Sequence, residues 1–148
     1  MKTADEMYEL CMEMKGAADI IVMSAAVSDY KPAARAETKL KKSDSSLEIK
    51  LQPTRDILAD IGKLKNPGQI IAGFALETDK EEENARKKLK SKNLDLIILN
   101  SLRDTGAGFK NPTNKISIFF KDGRVLHFPL KPKREVAQDI IDAIISII

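Results

Sequence analysis

At 148 residues the chain has the length of one domain, read as a single unit over 1–148 and long enough to bury a sizeable core. Its hydrophobic fraction of 43% and charged fraction of 32% are ordinary for a soluble globular protein, no apolar run has the length of a membrane span, and no charged-then-apolar leader opens it. A formal net charge of +3 without tryptophan excludes the basic face and stacking platform of a nucleic-acid binder, and the lone Cys11 excludes an internal disulfide and fits the cytoplasm. Thr3 and Glu6 have the spacing of a capping box, and Tyr8, Leu10, Cys11 and Met14 follow at helical intervals up to Gly16. Residues 20–23 (IIVM) read as a short parallel strand covered on both faces.

Leu47, Ile49 and Leu51 alternate with Glu48, Lys50 and Gln52, the pattern of a half-buried strand. Pro53 and Thr54 lead into a helix carrying Ile57, Leu58, Ile61 and Leu64, which stops near Asn66-Pro67-Gly68. Residues 70–74 form a second apolar strand. Residues 79–92 form a helix with acids first and bases last, complementing its dipole. LDLIIL at 94–99 is a third strand, and a Gly/Asn/Pro loop fills 100–114. A hairpin follows, 116–120 and 125–128 around Asp122-Gly123, and Pro132 opens a last helix with Val136, Ile140, Ile141, Ile144 and Ile148 inward. Helices alternating with apolar strands give an α/β fold, a Rossmann-like parallel sheet flanked by helices with a C-terminal antiparallel hairpin extension. Such domains normally begin with a strand and a Gly-rich turn, whereas this sequence begins with a helix, so the first βα unit is expected to be supplied elsewhere or to be missing.

Ligands of open parallel sheets bind beyond the carboxyl ends of the strands. Three segments lie there: SAAVSDYKP from Ser24, GFALET from Gly73 and NSLRDTGAGF from Asn100. Ala25 and Ala26 permit close backbone approach, Asp29 suits a cation or a sugar hydroxyl, and Gly73 with Phe74 offers a backbone edge and an aromatic wall. Lys39, Lys41 and Lys42, and Lys87, Lys88, Lys90 and Lys92, read as solvated faces or as two flanks of a polyphosphate site. His127 has no acid or thiol near it in sequence and reads as structural, as does Cys11 on an apolar helix face. No zinc spacing and no serine or cysteine nucleophile constellation occurs, so an enzyme built on this chain works by positioning and electrostatics.

AAVSDYKP, the K-x-K-K of Lys39 to Lys42, GFALET, KNLDLIILN and GAGF with a following Asn114 occur in that order. Together, over essentially the whole chain, they resemble the phosphopantothenoylcysteine synthetases, ligases of coenzyme A biosynthesis often fused in bacteria to a flavin-dependent decarboxylase. The resemblance implies that the carboxylate of 4′-phosphopantothenate attacks the α-phosphorus of CTP, or of ATP in eukaryotic relatives, with Mg²⁺ assisting. Cysteine then displaces CMP from the acyl-cytidylate. It assigns Lys39 as the catalytic lysine, and Asp29 to the nucleotide and its metal. Ala25, Ala26, Gly73, Phe74, Lys88 and Lys92 fall to the nucleotide, and Gly108, Phe109 and Asn114 to a flap over substrate. It also implies a homodimer joined through an arm at 30–52. The family's N-terminal Gly-rich segment, with an asparagine and an S-S-G phosphate motif, has no counterpart here, so the chain corresponds to the C-terminal two-thirds of the ligase domain. Two other readings stand beside the ligase: a non-catalytic nucleotide-binding or assembly module derived from it, and a Rossmann-type NAD(P)-binding domain. The last is disfavoured because no G-x-G-x-x-G occurs.

Overall fold

A computed structural model describes residues 2–34, 36, 38–39, 46–77, 79–101 and 111–148. Helix α1 (Ala4–Met14) starts where the sequence signals it: the Thr3 hydroxyl accepts the Glu6 N–H at 3.1 Å, and the chain continues past Met14 as one 3₁₀ turn through Gly16. Its inward stripe is Met7, Tyr8, Cys11 and Met12, while the expected Leu10 and Met14 are exposed. Strands β1 (Ile20–Met23), β4 (Ile70–Glu77) and β5 (Leu96–Ser101) pair in parallel. The hairpin strands β7 (Ile116–Phe120) and β8 (Val125–His127) join the same sheet antiparallel, giving the order β1-β4-β5-β7-β8. The fold is the expected α/β sheet with the hairpin as its antiparallel flank. Gly123 carries the hairpin turn at a φ of 96° and donates to Phe120 O at 3.1 Å.

Alternation along the strands sorts the core into two layers. Ile70, Ala72, Leu96, Ile98, Ile118 and Phe120 face α4 (Lys133–Ile145), whose Val136, Ile140, Ala143 and Ile144 close that side. Ile71, Ala75, Ile97, Leu99 and Phe119 face α1, α2 (Ile57–Lys63) and α3 (Glu81–Ser91). Two expectations fail in this layer arrangement. Strand β1 is the sheet's edge, with Ile20 42% and Val22 44% exposed, because among the described residues it has a strand, β4, on one side only. Ile141 and Ile148 are exposed rather than inward, since the α4 stripe that meets the sheet runs through Ala143 instead. Residues 47–50 form no strand. Only β3 (Leu51–Pro53) pairs, with β2 (Tyr30–Pro32), in a two-stranded arm whose Leu47, Ile49 and Leu51 are all exposed. The expected loop is shorter as well, because β6 (Thr113–Asn114) pairs with β9 (Lys131–Pro132) at the foot of α4.

Two glycines set the distance between helices and sheet. A Cβ on Gly73 would lie 2.6 Å from Leu58 Cδ2 and 2.9 Å from Leu94 Cδ1. A Cβ on Gly62 would lie 1.8 Å from the Lys92 carbonyl oxygen. Asn93, at a φ of 52°, fastens this junction by donating from Nδ2 to Gly62 O at 3.0 Å.

At the amino ends of the strands, Asp95 ties three segments together. It accepts Lys65 Nζ at 2.5 and 2.6 Å and the Ile71 N–H at 2.7 Å, while its own carbonyl accepts the Lys121 N–H at 2.8 Å. The Lys65 and Asp95 side chains are only 14% and 17% exposed. Removing one partner of such a pair leaves the other charged and shielded. Asp95→Ala is therefore expected to lower stability by about 3 kcal/mol in urea denaturation.

Candidate functional site

A cavity of about 560 Å³ opens at the carboxyl ends of β1, β4 and β5, within the size range of small-ligand sites. The loop after β1 forms one wall and includes Ala25, Ala26 and Asp29. That loop is hung from the start of β3–α2: Thr54 N donates to Asp29 O at 2.9 Å, and the Thr54 hydroxyl donates to Ser28 O at 2.5 Å. The opposite wall is Phe74, Ala75 and Leu76 of β4 with Asn100 of β5, and Lys88 and Lys92 approach from α3. Alanines at 25 and 26 keep this space open beside the backbone.

Each cation lining the cavity meets a carboxylate. Lys92 meets Asp56 at 2.8 Å, and Lys88 meets Glu77 at 2.6 Å. Arg55 stacks on Tyr8 at 3.7 Å from the ring centre and donates to Glu9 at 2.6 Å. Burial disfavours the Asp56 carboxylate, yet the Lys92 ammonium and the Ala59 N–H outweigh that and hold its pKa below the ordinary aspartate value. The same oxygens cap α2, since Asp56 Oδ1 accepts the Ala59 N–H at 3.0 Å. Asp5 is likewise lowered, chiefly by its hydrogen bond from Lys31, which anchors the arm to α1.

Of the residues expected at the site, Ala25, Ala26, Asp29, Phe74, Lys88 and Lys92 line this one cavity. Gly73 does not line it; its missing side chain serves the packing of Leu58 and Leu94 instead. Lys39 is exposed and outside the cavity lining. Asn114 also lies outside the lining, buried between β9 and β7. Gly108, Phe109, Lys41 and Lys42 lie outside the described residues. Among the described residues no group of three His, Cys, Asp or Glu side chains gathers as a metal cage. His127 pairs across the hairpin with Ser117 at 2.9 Å, away from the cavity, and burial raises the Cys11 thiol pKa. Sequence reasoning missed Arg55, Asp56 and Asn100. The signal for Asp56 is its place just before an apolar helical stripe, and for Asn100 a polar residue closing an apolar strand.

Residues 1–148 match the family described as the DNA/pantothenate metabolism flavoprotein C-terminal domain. A cysteine/cysteine sulfinic acid decarboxylase of unknown prokaryotic origin is 46% identical over 148 residues, all of this chain and 41% of that protein. The coenzyme A biosynthesis bifunctional protein CoaBC of Bacillus subtilis (strain 168) is 40% identical over 147 residues, 99% of this chain and 36% of that protein. The chain thus spans less than half the length of these relatives. The crystal structure of the C-terminal domain of a CoaBC protein superposes with a TM-score of 0.77 at 33% identity, covering 97% of this chain and 62% of that one.

Because the Asp56 pKa is depressed in the fold, its stabilisation is present above the unfolded value of about 4 and is lost as pH falls through the lower folded value. Asp56→Asn keeps a capping side chain but not the charge. The variant is expected to be less stable than the native chain at pH 7, with the gap closing on acidification below about pH 4, as read by denaturant midpoints.

Proposed function

The chain belongs to the DNA/pantothenate metabolism flavoprotein C-terminal domain family, and from that premise we propose that it is the greater part of a phosphopantothenate–cysteine ligase domain. The observation that carries the proposal is the cavity itself. Small residues, an aspartate, an aromatic wall and two lysines converge at the carboxyl ends of parallel strands, the place where such sheets bind nucleotides. The CoaBC relatives bear a name that places them in coenzyme A biosynthesis, which supports the choice of substrates.

On this reading CTP lies along Phe74 with its phosphates toward Lys88 and Lys92, each of which exchanges a carboxylate partner for a phosphate oxygen. The carboxylate of 4′-phosphopantothenate attacks the α-phosphorus, pyrophosphate leaves, and cysteine then displaces CMP from the acyl-cytidylate. Both nucleophiles belong to substrates, so the protein's part is to place them and to neutralise developing charge. Lys39 supplies one such charge on this reading. Asp29 is suited to Mg²⁺, which needs one or two carboxylates besides phosphate oxygens and would shield the charge on the phosphates. Ala25 and Ala26 leave room for the acyl-nucleotide, and Asn114 belongs to the region closing over it.

The exposed apolar side chains of the arm, Tyr30, Leu47, Ile49 and Leu51, support a homodimer through that arm. A cytoplasmic location accords with this chemistry, and among the described residues no helix is long and apolar enough to cross a membrane. The bifunctional relatives support a fused flavin-dependent decarboxylase elsewhere in the full protein. The decarboxylase activity in the name of the other relative is not carried over, because most of that protein lies outside the match. The position of Lys39 away from the cavity favours one second reading, a nucleotide-binding or assembly module without catalysis.

Calorimetry decides the nucleotide. CTP is expected to bind this chain more tightly than NAD, and tighter NAD binding would sink the assignment. Lys39→Gln in the ligase is expected to lower turnover at least about tenfold, the usual scale for losing a charge-stabilising donor. Unchanged turnover in that variant, with CTP still bound, supports the module instead.

A further inference from the structure

The arm and the cavity wall have no spacer between them. Strand β2 begins at Tyr30, directly after the cavity-lining Asp29, and β3 ends at Pro53, directly before the cavity-lining Thr54. The first rung of the arm, Tyr30 opposite Pro53, therefore stands next to the bond from Thr54 N to Asp29 O that closes the wall. Ser28 stitches the same root: its Oγ donates to Tyr30 O at 2.7 Å, and its carbonyl accepts the Thr54 hydroxyl. Pro53 has a fixed φ, so the joint on the β3 side is stiff.

A second connection runs through α1. One oxygen of Asp5 accepts from Lys31, the middle residue of β2, and the other lies 3.7 Å from the Arg55 guanidinium. Arg55 is itself fixed on α1 by the Tyr8 ring and by Glu9. A single carboxylate thus faces the arm on one side and, on the other, the residue between Thr54 and Asp56.

We propose that Asp5 is a positioning residue for the cavity: by latching the arm through Lys31, beside Arg55, it holds the Ser28–Asp29 wall in the shape that receives a ligand. The probe for this, CTP, rests on the ligase reading above. With the latch closed, the arm is held at its root by Thr54 and along β2 by α1. With the latch open, the arm pivots about its root, and the Ser28 and Asp29 carbonyls follow. The ligand must then order the wall as it binds, which lowers its affinity. Linkage makes the effect mutual, so a ligand that orders the wall also quiets the arm. The Asp5 and Lys31 side chains are 43% and 33% exposed, which makes the latch a partly solvated pair and sets its weight at about threefold in affinity.

Two measurements on the 148-residue chain test this. The first is hydrogen exchange, read by NMR at the Ala33 amide, which bonds Lys50 O at 2.9 Å beyond the last rung of the arm and outside the cavity lining. CTP is expected to shift the backbone signals of Ala25, Ala26 and Phe74 and to slow Ala33 exchange about threefold. If CTP shifts the cavity signals and leaves Ala33 exchange unchanged, the coupling is refuted and the nucleotide reading stands. If it shifts nothing, the ligase reading fails and this inference with it. The second measurement is CTP calorimetry on Asp5→Asn. On charge alone, removing an acid strengthens binding of an anionic nucleotide, whereas loss of the latch weakens it about threefold. Asp5→Glu keeps the charge and should bind CTP as the native chain does. A purely structural role for the pair would lower the melting temperature and leave CTP affinity below that temperature unchanged. Unchanged or tighter binding by a folded Asp5→Asn chain therefore overturns the proposal. So does an Asp5→Glu chain that loses as much as Asp5→Asn, since charge would then not be the latch.

Discussion

The site depends on how closely α2 lies against the sheet and against the end of α3. At Gly62 a single methylene would occupy the space of the Lys92 carbonyl, and at Gly73 it would displace Leu58 and Leu94. At Gly62 backbone meets backbone, and at Gly73 two leucine side chains rest directly on the strand. This approach brings the start of α2, with Arg55 and Asp56, alongside the residue that ends α3, Lys92. The Lys92–Asp56 contact and the cavity beside it are consequences of that spacing. Asn93 adopts a left-handed backbone to make the junction, a conformation its short polar side chain tolerates.

The same spacing hangs the loop after β1. Its carbonyls at Ser28 and Asp29 accept from Thr54, which stands two residues before the Asp56 cap of α2. Whatever moves α2 therefore moves both the wall carrying Asp29 and the pair holding Lys92. Tyr8 and Glu9 of α1 bear on Arg55 from the other side, so three elements fix the entry to one short helix. The short length of α2, seven residues, follows from the packing, because Gly62 and Lys63 end it at the close contact.

Much of the fold was legible because local signals and the global arrangement agree. The Thr3–Glu6 cap, the acid-to-base order along α3, the Asp122-Gly123 turn and the runs at β4 and β5 each correspond to an element in place. The misreadings share one cause. An apolar run in a strand states that burial is available but not from which side, so IIVM reads as central although β1 is an edge. The alternation at 47–52 states a two-faced strand but not that its partner is another short strand projecting from the domain. On α4 the residues Val136, Ile140, Ala143 and Ile144 share the spacing of the face that meets the sheet, and Ile141, one residue past Ile140, is turned about 100° away from it. For Gly73 the glycine was legible, but the Leu58 and Leu94 contacts that leave no room for a side chain were not.

At the site, the cations were legible and their partners were not. Lys92 and Asp56 are 36 positions apart, and only the approach of α2 to α3 makes them neighbours. The pairing changes what the lysines can do. A free lysine would already be fully hydrated, whereas Lys88 and Lys92 are held in place by carboxylates and, on the proposed reading, need only change partner for a phosphate. Asp56 loses little in that exchange: its oxygen still accepts the Ala59 N–H, and it still faces the positive end of α2. Glu77 likewise keeps Asn84 Nδ2 at 3.3 Å. Each carboxylate therefore has a second donor ready, which lowers the cost of releasing its lysine. This is the physical reason for preferring a binding role for these lysines over a solvated helix face: a surface ion pair has no need of a reserve partner on its acid, and here both acids have one.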